Sequence, residues 1–284
     1  MQSDLYRVSA RPFIATLFLV FLSLCFRTVR AEKTEYDLKS VFSELKNYIE
    51  EIGPSGRPSA VFFNDTHYKN VCRRILNKLT RLPLSSYEQL THEVRLAFWI
   101  NLHNLYVIKV ISDHYPVKSN RYISAPLKKL FDLPELEIFN KRRTINQIRN
   151  EILKKEFKDP RIPFCLYMGA KDGPQVHFFS LENQSYDLGE AVHVYVRDNC
   201  MINSKRKFII LTQLIEWWLE EWTAAPLPKQ YFDPKIMTTN RAPGEKIILS
   251  FLNKYIQYDT PNYILLTDPK IKIRFKRFNW SVGG

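Results

Sequence analysis

Glycine is scarce in this chain, with only 8 residues among 284, and no glycine cluster resembles a loop that cradles phosphate groups. The sequence also contains neither a Gly-x-Ser-x-Gly nucleophile elbow nor a His-Glu-x-x-His metal motif. Internal repeats, low-complexity tracts and coiled-coil heptads are absent as well. No motif therefore indicates a cofactor or a metal ion, and we predict neither.

Cysteine is also rare, and an odd number of cysteines lies outside the N-terminal apolar run. Of the 4 cysteines, Cys25 lies in the N-terminal apolar run, which leaves Cys72, Cys165 and Cys200 for the rest of the chain. In an oxidising compartment an odd number implies one disulfide and one remaining thiol. The sequence predicts such a disulfide without indicating which two cysteines form it.

Long hydrophobic runs are missing except for Phe13–Phe26 near the N-terminus. These 14 residues are fewer than the roughly 20 that span a bilayer, and Arg7 and Arg11 precede them. The run is followed by Val29-Arg30-Ala31, with small residues at the positions that a signal peptidase recognises. We therefore predict a signal peptide over residues 1–31, with no transmembrane span after its removal. The alternative is that this segment is not cleaved and anchors the protein.

Three glycosylation sequons agree with secretion through the endoplasmic reticulum to the outside of the cell; they begin at Asn64, Asn183 and Asn279. Removal of residues 1–31 lowers the formal net charge from +13 to +10. A surplus of this size favours anionic partners. A sulfated glycan, a lipid surface or an acidic protein fits a secreted protein, whereas nucleic acid does not.

Helical periodicity dominates the chain after residue 31. It predicts a lead-in over residues 32–80, with helices at Tyr36–Ile52 and Tyr68–Thr80, followed by a main domain over residues 81–284. In that domain we expect a central helix from Ser85 or Ser86 to just before Pro116, and a helix opened by a Thr144-x-x-Gln147 capping box and ending before Asp159. Further helices are predicted at 188–196, 211–222 and 245–258. The pattern indicates an α+β fold: a predominantly helical single domain with a small β-sheet.

Two segments show strand patterns. Phe164–Met168 is a short apolar run that we interpret as a buried strand. Near the C-terminus, Lys270, Lys272, Arg274 and Lys276 alternate with apolar residues, which predicts a half-buried strand with one wholly basic face. Because like charges on one strand face repel each other, this face is the best candidate for binding an anion.

The segment Val94–Ile108 contains the most unusual polar residues. Read as a helix, it places Asn101 and Asn104 on or beside an otherwise apolar stripe. A buried amide without partners costs about 1–3 kcal/mol, so both side chains need them. Two interpretations follow: a structural network that pins a neighbouring loop, or a ligand site.

The same segment carries a family resemblance. Phe98-Trp99-Ile100-Asn101-Leu102-His103-Asn104, with Asp159-Pro160-Arg161 and Gly169-Ala170, resembles the uncharacterised family called domain of unknown function 547. Supporting similarity in Leu211–Trp222 and Asn279–Ser281 extends the resemblance over roughly residues 85–281.

The chain departs from the family pattern at the positions where that pattern carries reactive residues. Pro163 stands where the family has His, Met168 where it has its first Cys, and Asp172-Gly173 where it has Ser-Cys. His103 stands where Tyr is usual. If the family signature marks a thiol-dependent site, this chain lacks the thiols there.

Two functional hypotheses follow. The first is a secreted, glycosylated, non-catalytic binding protein that engages an anionic ligand through residues drawn from Asn101, His103, Asn104, Arg161, Lys270, Lys272, Arg274 and Lys276. The second is a thiol-dependent hydrolase or acyl-transfer enzyme. It uses Cys165 or Cys200 as nucleophile, His177 or His193 as base, and Asn101 or Asn104 as orienting group. The lost family cysteines favour the first hypothesis.

Overall fold

The computed structural model of the protein describes residues 36–117, 130–203, 205–224, 228–256 and 266–282. The predicted signal peptide, including Cys25, lies outside the described residues. The described residues from Leu38 onward belong to one compact unit. The described part is mainly helical with two small sheets, which confirms the α+β prediction. Within it, no helix combines the length and the apolar character needed to cross a bilayer.

The first helices lie where the periodicity places them. Helix α1 (Leu38–Glu50) ends before Gly53, whose positive φ of 88° terminates the helical run. Helices α2 (Ala60–Asn64) and α3 (Thr66–Thr80) are separated by one residue, Asp65, whose side chain caps α3.

A helix break precedes the central helix. Instead of one helix from Ser85 or Ser86, the chain forms α4 (Leu84–Glu88) and then α5 (His92–His114). The hydroxyl of Thr91 accepts a hydrogen bond from the Val94 backbone N–H at 3.3 Å and caps α5, which is why the long helix begins there.

Helix α5 is the centre of the fold. Every side chain from Leu96 to Ile108 is buried. The sequence predicted one apolar face for this helix, but all of its faces are buried. Helix α3, which lay in the predicted lead-in, packs on α5, and α1 packs on α3. Helices that follow later in the chain cover the remaining sides of α5. A helix surrounded in this way is mostly apolar on every side, and the polar exceptions in its buried stretch are Asn101, His103 and Asn104.

A hairpin and a distorted helix come next. Strands β1 (Leu136–Ile138) and β2 (Lys141–Arg143) pair antiparallel through a two-residue turn with positive φ at Phe139 and Asn140. The predicted capping box at Thr144 and Gln147 is present and opens α6 (Ile145–Gln147). This helix continues as a π-helix over Ile148–Phe157 and ends before Asp159, as predicted.

The strand predicted at Phe164–Met168 is wrong. Residues Ile162–Cys165 form the short helix α7, and an extended segment follows. A short apolar run is ambiguous between a buried strand and a buried helix. A side chain, not a neighbouring strand, pairs with the backbone at Cys165 and Tyr167.

The C-terminal part contains the larger sheet and a second cluster of buried apolar residues. Its three strands lie in the order β3-β4-β5, with β3 and β4 antiparallel and β4 and β5 parallel. The predicted basic strand is β5, at the edge of this sheet. The elements are α8 (Gln184–Asn199), β3 (Met201–Asn203), β4 (Phe208–Thr212), α9 (Gln213–Ala224), α10 (Pro234–Met237), α11 (Pro243–Ile256) and β5 (Lys272–Lys276).

Candidate functional site

Asn101 holds a loop against the central helix. Its Nδ2 donates to the Phe179 carbonyl at 2.7 Å, and its Oδ1 accepts from the Phe179 backbone N–H at 3.2 Å. Both residues are buried, with 1% of Asn101 exposed. The Asn101 side chain thus satisfies both the backbone N–H and the backbone carbonyl of Phe179, as a neighbouring strand would.

Asn104 does the same for the segment after α7. Its Nδ2 donates to the Cys165 carbonyl at 2.9 Å, and its Oδ1 accepts from the Tyr167 backbone N–H at 2.8 Å. The same oxygen lies 3.0 Å from Nδ1 of His103. The polar groups of both amides are thereby engaged by protein atoms, which supports the structural interpretation of these two residues.

His103 is buried beside this network, with 2% of its surface exposed. Burial, with a smaller contribution from the charge of Arg149, lowers the pKa of its imidazole to about 4, although the hydrogen bond that the ring donates to Asn104 acts in the opposite direction. The ring is therefore neutral at physiological pH. Because the Asn104 oxygen is an acceptor, Nδ1 of His103 carries the proton, and Nε2 presents a lone pair.

Around His103 there is a small cleft that is partly open to solvent. Arg149 lines it, with its guanidinium 5.5 Å from the centre of the Trp218 ring. Asn146 also lines it and donates to the Asp132 carboxylate at 2.6 Å. The remaining walls are apolar and consist of Phe131, Ile145, Pro163, Leu166, Met168, Leu214 and Trp218.

Three positions at which the chain departs from the family pattern meet in this cleft: His103, Pro163 and Met168. Another, Gly173, is adjacent, because a Cβ atom there would lie 3.3 Å from the Cβ of Met168 and 3.2 Å from the Ala170 carbonyl oxygen. The substitutions are thus concentrated in space, although they are 70 residues apart in sequence. Where the resemblance leads us to expect His and Cys, this cleft has Pro and Met.

Arg161 was predicted to bind a ligand, but its guanidinium contacts other residues of the protein. Its Nη2 lies 2.7 Å from the Asp159 carboxylate, and its Nη1 donates to the Ser185 carbonyl at 3.0 Å. These contacts tie the start of α7 to the start of α8.

The three remaining cysteines are free thiols, so the predicted disulfide is not formed in the structure. They lie on or beside different helices: Cys72 in α3, Cys165 in α7 and Cys200 after α8. The thiol of Cys72 donates to the Leu105 carbonyl at 3.6 Å, and that of Cys165 donates to the Arg161 carbonyl at 3.3 Å. Each cysteine therefore has its own packing environment.

Burial makes these thiols poor nucleophiles. It raises the pKa of Cys200 to about 12 and that of Cys165 well above its ordinary value. In the part of the chain that the structure describes, neither has a histidine as a hydrogen-bond partner. Nδ1 of His193 instead lies 2.9 Å from the Tyr255 carbonyl, and burial lowers the pKa of His177. The structure does not bring the residues of the predicted Cys-His set together.

The basic strand is present, and a second basic segment lies beside it. In β5 the side chains of Lys272, Arg274 and Lys276 are exposed, and Ile273 and Phe275 are half-buried. The turn between β3 and β4 adds exposed Lys205, Arg206 and Lys207, and it reaches the start of β5 because the Lys272 backbone N–H donates to the Lys207 carbonyl at 3.0 Å. We call the six side chains of Lys205, Arg206, Lys207, Lys270, Lys272 and Arg274 the basic edge.

Lys276 does not belong to the basic edge, although the sequence placed it there. Its Nζ lies 3.2 Å from the Asp172 carboxylate, whose other oxygen accepts from the Asn279 backbone N–H at 3.0 Å. Lys276 therefore helps to hold the C-terminal segment.

The three sequon asparagines are exposed. Asn64 ends α2, Asn183 precedes α8, and Asn279 follows β5. The described residues contain no group of three or more His, Cys, Asp or Glu side chains arranged to hold a metal ion.

Residues 87–196 match the family described as Protein of unknown function, DUF547. The resemblance expected from the sequence is confirmed over this segment. The DUF547 segment extends from α4 through α8, so it contains both amides, His103 and the departures at Pro163 and Met168. The additional similarity noted at Leu211–Trp222 and Asn279–Ser281 lies outside the matched residues, as does the whole basic edge. No curated protein and no solved structure matches the chain.

Sequence reasoning missed two features of these sites. The basic turn at Lys205–Lys207 was visible as a charge cluster, but its place beside Lys272 depends on the parallel pairing of β4 and β5. Arg149 lies on a π-helix, where the usual helical spacing does not indicate which side chains share a face.

Proposed function

We propose that the protein is a secreted, glycosylated, non-catalytic binding protein, and that its basic edge binds a sulfated glycan. The observation that carries this proposal is the convergence of two basic segments, separated by more than sixty residues, on one end of the three-stranded sheet. Six cationic side chains lie there, all of them exposed.

The charge of the basic edge is only slightly neutralised within the described residues. Asp268 is its one carboxylate partner there: it lies 2.9 Å from Nζ of Lys207, and it accepts the Lys270 backbone N–H at 2.8 Å. Of the six cationic side chains, in the described part of the protein only Lys207 forms a salt bridge, and Lys270 adds a weaker charge interaction with the same Asp268. An anion bound at this place relieves the mutual repulsion of the cationic side chains.

The spacing of these charges suits an extended polyanion. Residues two apart on a strand lie about 6.6–6.8 Å from each other on the same face, which sets the separation of Lys272 and Arg274, whereas Lys270 lies in the turn before β5 and outside the strand predicted for it. The turn extends the row sideways across the sheet. Arg274 is held over the ring of Phe208, 4.7 Å from its centre, so that its guanidinium is positioned before a ligand arrives. A linear sulfated chain offers negative charges along its length to such a row.

The state of the thiols supports the non-catalytic part of the proposal. Buried cysteines with raised pKa and no histidine partner lack the thiolate that thiol catalysis needs. The cleft of the DUF547 segment has Pro163 and Met168 where the family pattern has His and Cys, and neither can act as a base or nucleophile.

Secretion and glycosylation rest on the N-terminal apolar run and on three exposed sequons. Both are tested by expressing the full-length chain in animal cells and collecting the medium. We expect a secreted protein that begins at Glu32 and loses mass when N-linked glycans are removed. Retention in the cell membrane with an intact N-terminus would contradict the cleaved signal.

Heparin affinity chromatography tests the ligand. A variant with Lys270→Gln, Lys272→Gln and Arg274→Gln, and a second with Lys205→Gln and Arg206→Gln, are expected to elute at clearly lower salt than the unmodified protein. The matched control carries Lys141→Gln, Lys154→Gln and Lys155→Gln, three exposed lysines far away in sequence and outside the basic edge. It is expected to elute close to the unmodified protein.

Equal losses in the control would show that only total charge matters and would overturn the assignment. Charged side chains on an edge strand also protect a sheet against aggregation. If that were their only role, the strand variant would aggregate while its soluble fraction kept full heparin retention. Stronger binding to anionic lipid vesicles than to heparin would replace the glycan by a membrane surface.

A further inference from the structure

The three-stranded sheet has an outer face that does not contribute to the apolar core. Side chains alternate between the two faces of a strand, so the strand pattern assigns each residue to one face. In β4, Ile209 and Leu211 are fully buried and belong to the core cluster. Phe208 and Ile210 alternate with them; they are half-buried and, within the described residues, lie outside that cluster. Phe208 and Ile210 therefore lie on the outer face.

Two rows of side chains cross this outer face from β3 to β5. In the first row, Met201 pairs with Ile210, and Ile210 pairs with Arg274. Neighbouring strands are about 4.7–4.9 Å apart, so this row changes from apolar to cationic within about 10 Å. The second row consists of Asn203, Phe208 and Lys272. We call the side chains of Met201, Phe208 and Ile210 the apolar stripe.

The apolar stripe is accessible and touches the cationic side chains. Met201 is 63% exposed, and the guanidinium of Arg274 lies 4.7 Å from the centre of the Phe208 ring. Covering apolar surface contributes to affinity independently of charge. Binding sites commonly combine such surface with a few placed polar groups. A ligand that matches the outer face therefore carries negative charges and apolar surface side by side.

A sulfated glycan meets both conditions. The faces of each sugar ring present C–H groups, while the sulfate groups project from the rim of the ring. Linear polyphosphate and similar polyanions offer charge without apolar surface. The apolar stripe is continuous with the basic edge, because Ile210 and Phe208 pair with Arg274 and Lys272. A glycan bound to the basic edge therefore reaches the stripe directly.

We propose that the bound glycan lies across the outer face of the sheet. Its sulfate groups pair with Lys272 and Arg274, and the C–H face of one sugar ring packs on Met201 and Ile210. These two apolar residues thereby determine specificity, since they favour a polyanion built from sugar rings over one that lacks them. This inference rests on the proposed function, because it concerns the same ligand at the same sheet.

The test compares a heparin hexasaccharide with linear polyphosphate, using the full secreted protein and isothermal titration calorimetry. Met201→Gln and Ile210→Thr are each expected to raise the Kd for the hexasaccharide about threefold, and together about tenfold, because apolar contact is lost. Neither is expected to change the Kd for polyphosphate. The matched control is Val61→Gln on α2, where the side chain is 71% exposed. It is expected to leave both values unchanged.

The salt dependence separates the two kinds of contact. Apolar contact is not screened by salt, so Met201→Gln is expected to raise the Kd for the hexasaccharide by the same factor at low and at high sodium chloride. The strand variant, with Lys270→Gln, Lys272→Gln and Arg274→Gln, is instead expected to reduce the salt dependence itself, and to do so for both ligands.

Unchanged hexasaccharide binding in Met201→Gln and Ile210→Thr, together with a loss in the strand variant, would overturn this inference and leave the proposed function in place. Equal losses for the hexasaccharide and polyphosphate would also overturn it, since the two residues would then act through the neighbouring cations. No hexasaccharide binding by the unmodified protein would instead contradict the proposed function itself.

Discussion

Asn104 holds the backbone of Tyr167 in place: its Oδ1 accepts the Tyr167 N–H at 2.8 Å, while its Nδ2 donates to the Cys165 carbonyl two residues earlier. One side chain thereby performs the pairing that a neighbouring β-strand would otherwise provide. The short helix α7 and the cleft next to it depend on this contact.

Replacement of Asn104 is expected to destabilise the fold strongly. In Asn104→Ala a buried N–H and a buried carbonyl lose their partner, at about 1–3 kcal/mol each, so the free energy of unfolding should fall by about 3 kcal/mol. Urea unfolding followed by tryptophan fluorescence measures this. The control is Asn70→Ala on the exposed face of α3, which should change the value by less than about 0.5 kcal/mol. A loss below 1 kcal/mol in Asn104→Ala would show that the contact is not structural.

His103 should make stability depend on pH. Its pKa in the folded protein is about 4, below the value of 6.5 for an unperturbed histidine. Between these values the unfolded chain binds a proton that the folded protein does not, so stability falls as the pH falls. The expected contribution is a loss of about 2 kcal/mol between pH 7 and pH 5.

The comparison of His103→Phe with the unmodified protein isolates this contribution. The variant is expected to have lower absolute stability but a smaller loss between the two pH values, measured by urea unfolding at each. His67→Gln, at an exposed position, should keep the full loss. Parallel pH profiles for His103→Phe and the unmodified protein would mean that this imidazole is protonated in the folded state.

The cysteines should be unreactive in the native protein. Cys72 and Cys165 are buried, and burial raises the pKa of Cys72 and of Cys200 to about 12. Iodoacetamide at pH 7.4 is therefore expected to label no thiol before unfolding and all three after denaturation, by intact mass. Rapid labelling of Cys165 or Cys200 in the folded protein would support the thiol-enzyme hypothesis and identify the residue to replace.

The sequence predicted much of this fold because helical periodicity is a local signal. The helices α1, α3, α8, α9 and α11, the capping box and the basic strand all lie close to their predicted positions. The strand predicted at Phe164–Met168 failed because its backbone pairs with the side chain of Asn104, about sixty residues earlier, and no local pattern reports such a contact.

The candidate sites were predictable only in part, for a similar reason. The family pattern identified His103, Pro163 and Met168 as departures, but only the fold brings them into one cleft. Lys276 looked equivalent to Lys272 in sequence, yet its pairing with Asp172 depends on the tertiary structure. Arg149 carried no sequence signal at all.

Lysine footprinting tests most directly whether the basic edge is a binding surface. The folded protein is acetylated briefly with and without a heparin oligosaccharide, and the modified lysines are quantified by mass spectrometry. Heparin is expected to protect Lys205, Lys270 and Lys272, while Lys141, Lys154 and Lys155 should react as before. Equal protection of both groups, or none at the basic edge, would contradict it.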